Sequence, residues 1–278
     1  MNCDVSVMIP TFNSSGTLKR TLDSVYRQSL LPREIIVVDD GSNDWEQSRL
    51  IATSCPDSIS VRFIRMDKNQ GVSTARNIGA AAALCRYLAF LDSDDVWHKD
   101  KIAVQYGLMT RHGFDFSMHQ YRADLQYRRF EREENDTLSP VSYSLFSSWT
   151  PLLRNDTTSS VMVLKHKMVL YDASLRRGED FKCYMELLSH KYRGVYIRRV
   201  LGGTFKSTIG VSGLSQDVKG MHLGRILGLR KLLQEGKIGL LHYLTGVSME
   251  TVKYPLRVLR VSLRSRAAPH GKSQTASV

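Results

Sequence analysis

The chain has 278 residues, 42% of them apolar and 24% charged, which suits a folded globular protein and excludes a disordered or fibrous one. Its formal charge of +12 points first to polyanions: nucleic acid, an anionic membrane surface or phosphorylated ligands. That charge is uneven, because residues 1–218 carry 28 basic and 25 acidic groups whereas residues 219–278 carry 11 and 2, leaving an almost neutral body and a cationic tail.

In chain order, Val5–Ile9 reads as a strand, and Leu18, Leu22 and Val25 follow at helical spacing. Ile35–Val38 reads as a second strand, Val61–Ile64 as a third and Tyr87–Leu91 as a fourth. Between them lie a polar stretch around Asp44 and the Ala-rich Val72–Ala83, and Ile102–Arg111 follows as a helix. This rhythm predicts an α/β fold, a Rossmann-like and mostly parallel central sheet with helices on both faces. Ligands then collect beyond the carboxyl ends of the strands. After about residue 112 the order changes: Tyr121–Glu134 reads as a solvated loop or hairpin, Ser159–Leu164 as a strand, Glu179–Leu188 as a helix and Gly194–Phe205 as a last strand.

The four cysteines, Cys3, Cys55, Cys85 and Cys183, have no CxxC spacing and no neighbouring histidine cluster, so they read as reduced thiols. Met1-Asn2-Cys3-Asp4 does not begin a secretory signal, and no apolar run reaches the roughly 18 residues of a membrane span. The expectation is a cytoplasmic protein, peripheral on the cytoplasmic face of the membrane.

Polar groups end three of the predicted strands: Pro10-Thr11-Phe12-Asn13, Asp39-Asp40-Gly41-Ser42 and Asp92-Ser93-Asp94-Asp95. In a parallel sheet these ends share an edge, so several carboxylates converge on one crevice. Acidic residues also cap helices, but Asp92, Asp94 and Asp95 together repel one another unless a cation offsets them. A hard divalent ion, Mg²⁺ or Mn²⁺, takes oxygen ligands and leaves positions for substrate phosphates.

Val5–Asn13, Ile35–Ser42, Asn69-Gln70-Gly71 with Ala75-Arg76-Asn77, and Leu91–Asp95 resemble successive signatures of family 2 glycosyltransferases, in the right order across roughly the first hundred residues. The resemblance implies a GT-A fold and transfer of one sugar, with inversion, from a nucleotide-diphosphate sugar, a UDP-sugar foremost. By position Pro10, Thr11 and Asn13 would line the nucleotide pocket, Asp39 and Asp40 would meet base or ribose, and Arg76 would lie near base or phosphates. Asp92, Ser93 and Asp94 match the Asp-x-Asp element, with Asp94 as metal ligand and Asp92 holding ribose or a metal-bound water. Inverting transfer also needs a base; Gly178-Glu179-Asp180-Phe181 resembles the family's Glu-Asp element, which makes Asp180 the base and Glu179 the second candidate. A helix first turn also favours acids without any catalytic role.

Lys206 and the loop with Gly210, Ser212 and Ser215 are candidates for a lid over the diphosphate, and Trp149–Met162, with Thr157, Thr158, Ser159 and Ser160, for the acceptor pocket. The chain lacks the Gln/Arg-x-x-Arg-Trp element of processive synthases, which favours single-sugar addition to a saccharide or lipid-linked saccharide acceptor in cell-surface polysaccharide synthesis. The division expected is 1–95 for the nucleotide sugar, 96–218 for acceptor and base within the same domain, and 219–278 as a basic helical extension with a disordered end.

In that extension Val252, Leu256, Leu259 and Leu263, and likewise Lys253, Arg257, Arg260 and Arg264, recur at intervals of 4, 3 and 4, one apolar and one cationic stripe on a helix starting near Pro255. Such a helix suits an anionic membrane surface or packing on the main domain. Other readings are weaker. A haloacid-dehalogenase-like phosphatase carries its Asp-x-Asp motif after strand one, a sugar-phosphate nucleotidyltransferase has a Gly-rich loop missing here, and a nucleic-acid binder would interleave aromatic and basic residues.

Overall fold

The structure, a computed structural model, describes residues 2–54, 56, 58–123, 125, 141–147, 149–153, 157–205 and 217–267. The first half alternates as expected: β1 (Cys3–Thr11), α1 (Ser15–Tyr26), β2 (Pro32–Asp39), α2 (Trp45–Thr53), β3 (Ser60–Arg65), α3 (Val72–Ala82), β4 (Tyr87–Phe90), β5 (Asp95–Trp97) and α4 (Lys101–His112). The second half holds β6 (Phe116–Arg122), β7 (Tyr143–Leu145), α5 (Thr150–Leu153), β8 (Met162–Leu164), α6 (Glu179–Ser189), β9 (Gly194–Thr204), α7 (Val218–Gln234) and α8 (Leu240–Ala267).

These nine strands form one sheet in the order β3-β2-β1-β4-β8-β6-β9-β5, with β7 also paired to β9. The β3-β2-β1-β4 half is parallel. Beyond it β8 runs antiparallel between β4 and β6, and β6 pairs parallel with β9. The sheet is thus mostly parallel on one side and mixed on the other.

Side-chain alternation along the central strands fills both faces. Val5, Val7, Ile9, Ile35 and Val37 pack with Leu18 and Leu22 of α1 and Ile102 of α4. Met8, Ile36, Val38, Leu88 and Phe90 pack on the other face with Ala75 of α3 and Tyr184 of α6. A third cluster joins Leu152, Phe181, Met185, Leu229 and Leu232 from α5, α6 and α7.

Two sequence expectations are corrected. Ser159–Leu164 is not one strand: Thr158–Ser160 forms a 3₁₀ turn ahead of β8, in which the Ser160 amide and hydroxyl both donate to the Thr157 carbonyl, at 3.0 and 2.7 Å. The tail helix begins at Leu240 and carries Pro255 inside it. Proline removes one helical hydrogen bond, but contacts with α7 fix the preceding turns, and this packing overrides the local penalty. No helix among the described residues is long and apolar enough to cross a membrane.

Candidate active site

The parallel register aligns the strand ends that the sequence singled out: Thr11 lies opposite Asp39 across β1 and β2, while Leu91, just past β4, bonds to the Met8 carbonyl. The loop 92–94 therefore opens beside the ends of β1 and β2.

Loop geometry on the β2 side is fixed by Asp40. Its two oxygens accept the Gln70 and Gly71 amides at 2.7 and 2.9 Å, and burial raises its pKa against those bonds. Gly41 has φ +72°, and a Cβ there would lie 2.6 Å from the Lys68 carbonyl carbon, so only glycine lets the two loops meet. Asp39 accepts the Ser42 amide at 3.1 Å. Asn13, at φ +48°, donates its amide to Ser42 Oγ and accepts from the Asn43 amide, both at 2.9 Å. Pro10, Thr11, Asp39 and Asp40 are buried, and Asn13 is exposed. Thr11 Oγ1 and Asp39 Oδ1 are buried atoms without a hydrogen-bond partner among the described residues.

The Asp92–Asp95 loop is braced from three directions. The Thr21 hydroxyl of α1 lies 2.9 Å from the carbonyls of both Ser93 and Asp95. Arg76 Nη2 bonds to Asp92 Oδ1 at 2.8 Å. Ser159 accepts the Asp92 amide at 3.0 Å and donates to Asp95 Oδ2 at 2.5 Å, while its carbonyl accepts Trp97 Nε1 at 2.8 Å.

Asp95 is buried, and its pKa is pushed up to about 8, first by burial and then by the charges of Asp92 and Asp94. Asp92 and Asp94 are only partly buried. The carboxylate crowding expected from the sequence is thus present, and hard oxygen donors under mutual repulsion fit a divalent cation. Among the described residues no group of three or more His, Cys, Asp or Glu is arranged to hold a metal by itself, so a cation at Asp94 would need oxygens from a substrate.

The second-half acids meet the first half through Arg76, whose Nη1 bonds to Glu179 Oε1 at 3.1 Å. Arg76 is 4% exposed; burial pulls its pKa down, but the charges of Asp92 and Glu179 hold it far above the ordinary value. Asn77 adds a two-way clasp to the Tyr171 backbone, at 2.8 and 2.9 Å. Glu179 is buried, and burial together with the Asp180 charge raises its pKa while Arg76 opposes. Asp180 is partly exposed, accepts the Phe181 amide at 2.7 Å, and lines a small recess with Phe146, Tyr184 and Arg225.

Sequence reasoning missed Thr21, Trp97 and the bracing role of Ser159. Thr158, Ser159 and Ser160, expectations for an acceptor pocket, are 3% exposed or less: Ser159 supports the loop, Thr158 accepts from the Tyr184 hydroxyl and Ser160 donates to the Thr157 carbonyl. The missed residues are small hydroxyls and an indole on other elements, and nothing in their spacing marks them. The lid candidates Lys206, Gly210, Ser212 and Ser215 lie outside the described residues.

The tail also departs from two free stripes. Glu250 is fully buried and bonds to Arg225 and Arg257 at 3.1 and 2.8 Å, and Lys253 donates to the Leu152 carbonyl. Lys253 and Arg257 thus face the body, because one buried carboxylate needs their charge. Val252, Leu256, Leu259 and Leu263 are 56–65% exposed.

The family model of Glycosyl transferase family 2 covers residues 6–175 and stops short of Glu179 and Asp180. An uncharacterized glycosyltransferase of Rickettsia felis is 29% identical over 72% of this chain and 33% of its own length. The succinoglycan biosynthesis protein ExoO of Rhizobium meliloti is 28% identical over 64% of this chain and 53% of its own. The UDP-Glc:alpha-D-GlcNAc-diphosphoundecaprenol beta-1,3-glucosyltransferase WfgD of Escherichia coli is 31% identical over 42% of this chain and 45% of its own. The chain thus spans from a third to about half of these relatives.

Among solved structures, S. aureus TarS 1-349 in complex with UDP-GlcNAc aligns with a TM-score of 0.63 at 17% identity, over 84% of this chain and 67% of that one. The mannosyltransferase PcManGT of Pyrobaculum calidifontis, in complex with GDP-Man and Mn²⁺, aligns at 0.66 and 17%, over 98% and 77%. These likenesses show the GT-A fold. Since the family model spans more than half of the chain and includes the carboxyl ends of β1, β2 and β4, the protein belongs to glycosyl transferase family 2.

Proposed function

We propose that this chain is an inverting glycosyltransferase that moves one sugar from a nucleotide-diphosphate sugar, foremost a UDP-sugar, to a saccharide or lipid-linked saccharide acceptor in bacterial cell-surface polysaccharide synthesis. The observation that carries the reading is the meeting of two acidic elements through one buried arginine: Asp92 and Glu179 both bond to Arg76, so the Asp-x-Asp loop and the Glu179-Asp180 turn share one crevice. The likeness to WfgD, a UDP-Glc:alpha-D-GlcNAc-diphosphoundecaprenol glucosyltransferase, supports a UDP-sugar donor and a lipid-linked acceptor, and the likeness to ExoO, a succinoglycan biosynthesis protein, supports polysaccharide synthesis.

In this reading the unpartnered Thr11 Oγ1 and Asp39 Oδ1 are groups that a bound nucleoside would satisfy. Asp94, with Asp92 beside it, would hold Mg²⁺ or Mn²⁺, which when bound would offset the charge of the departing diphosphate; the PcManGT complex with Mn²⁺ supports a divalent ion. Asp180 takes the proton of the acceptor hydroxyl as its oxygen attacks opposite the leaving group. Glu179 is the poorer base, because its carboxylate is buried against Arg76. The phosphatase reading loses ground because the motif follows β4 and not β1, and the nucleotidyltransferase reading because β1 leads into Phe12-Asn13-Ser14 and not a Gly-rich loop. Nucleic-acid binding loses ground with Lys253 and Arg257 turned inward. The exposed apolar row of α8, in a tail of net charge +9, supports peripheral attachment to an anionic membrane surface on the cytoplasmic face.

The test is thermal stabilisation by UDP-glucose, UDP-N-acetylglucosamine and GDP-mannose, each with and without Mn²⁺. A rise in Tm that needs both nucleotide sugar and ion is expected for wild type and absent from Asp94→Ala. No shift with any of the three, or an undiminished shift in Asp94→Ala, would overturn the reading.

A further inference from the structure

The Glu179-Asp180 turn is held from outside the segment that the family model covers. Gly178, the residue before α6, has φ +74°, and a Cβ on it would lie 3.0 Å from the Arg225 amide nitrogen and the Gly224 carbonyl carbon. The converse contact is closer: a Cβ on Gly224 would lie 2.2 Å from the Arg177 carbonyl oxygen. Backbone therefore meets backbone where α7 crosses the residues just ahead of Asp180, and two glycines make the approach possible.

Other contacts extend this seam. The Arg225 guanidinium lies 4.9 Å from the Phe181 ring centroid, and Arg225 and Asp180 line the same recess. Arg225 is 4% exposed and paired at 3.1 Å to the fully buried Glu250 of α8. Leu229 and Leu232 close the seam against Phe181 and Met185. An independent pair, Lys231 to Asp172 at 2.9 Å, anchors α7 to the chain ahead of the turn.

From this geometry we infer that the α7–α8 hairpin is a working part of the transfer site, in which Gly224 and the Arg225–Glu250 pair are positioning residues that fix Asp180. The inference rests on the reading of Asp180 as the base. Displacing a base by about 1 Å costs on the order of 100-fold in rate, and an added methyl at Gly224 forces a shift of that size.

The test is a mutant cycle on the full chain, read as UDP release from UDP-glucose, UDP-galactose and UDP-N-acetylglucosamine with Mn²⁺ and water as the nucleophile. Gly224→Ala is expected to lower kcat roughly 100-fold while leaving KM for the nucleotide sugar within about twofold, because Thr11, Asp39, Asp40 and Asp94 stand at the ends of β1, β2 and β4 and not on the α7 seam. On an Asp180→Asn background the same change should add less than about twofold, since residues acting through one group are non-additive. Gly228→Ala and Gly239→Ala are the controls: the first would make an ordinary 3.5 Å contact and the second meets nothing within 4 Å, so both should keep the wild-type rate.

Glu250→Gln, which preserves shape, is the second variant should Gly224→Ala fail to fold; it is expected to lower kcat about tenfold, again without further loss on the Asp180→Asn background. Amide hydrogen exchange gives a readout that needs no substrate: residues 178–181 should exchange about tenfold faster in Gly224→Ala, with β1 and β4 unchanged. A wild-type rate, full additivity with Asp180→Asn, or unaltered exchange at 178–181 would each overturn the inference. A wild-type rate in Asp180→Asn alone would instead overturn the assignment of the base.

Discussion

Arg76 and Glu179 lie 103 positions apart in the chain and meet at 3.1 Å, both buried. Because Arg76 also holds Asp92, its removal strands two carboxylates. Breaking a buried pair by deleting one partner costs about 3–5 kcal/mol. Arg76→Met is therefore expected to lower stability by that amount, and Glu179→Gln by less, since its amide still accepts from the guanidinium. Urea unfolding measures both; equal stability of Arg76→Met and wild type would contradict the bridge.

Ser159 connects the Asp92 amide to the Asp95 carboxyl, beneath the Asp-x-Asp loop. Ser159→Ala leaves a buried donor and acceptor unpaired at a cost of about 1–3 kcal/mol. It is also expected to weaken UDP binding in the presence of Mn²⁺ by about tenfold, read by calorimetric titration. Unchanged affinity would mean that the loop keeps its shape without the serine.

A pH effect follows from His119, which is fully buried with Nε2 unpartnered among the described residues. Burial first, then the neighbouring charge of Lys101, lowers its pKa from 6.5 to about 3. The unfolded chain binds this proton below about pH 6.5 and the folded one only near pH 3, so stability is full above 6.5 and falls as pH drops through that window. The slope is about 1.4 kcal/mol per pH unit. His119→Gln should flatten it in unfolding curves taken between pH 6.5 and 4, and an unaltered slope would exclude His119 as its source.

Membrane attachment through α8 is predicted to depend on the outward apolar row more than on the inward cations. Leu256→Glu with Leu259→Glu should abolish co-sedimentation with vesicles containing phosphatidylglycerol, whereas Lys253→Gln should reduce it little. The opposite ranking would restore the cationic stripe as the contact.

The first half of this fold was legible in sequence because β1, β2 and β4 are buried on both faces and each ends in a polar block: Val5–Ile9 before Asn13, Ile35–Val38 before Asp39, Tyr87–Leu91 before Asp92. Among the short antiparallel pieces β8 was legible inside Ser159–Leu164, whereas β5 and β7, three residues each, were not, since so short a run carries no periodic pattern. The acidic residues of the site announced themselves by crowding. Their supports did not: Thr21, Ser159 and Gly224 act through backbone approach and single hydroxyls, and such contacts leave no periodic trace. In the tail, the apolar spacing of Val252, Leu256, Leu259 and Leu263 matches an exposed row, but only packing shows that Glu250 draws Lys253 and Arg257 out of the cationic stripe.

The proton of the acceptor hydroxyl falls to Asp180. If its carboxylate removes the acceptor proton, Asp180→Asn should lower kcat for sugar transfer by about 10²–10⁴-fold, while Mn²⁺-dependent affinity for the nucleotide sugar and the unfolding midpoint stay at wild-type values. Transfer at the wild-type rate by Asp180→Asn would contradict it.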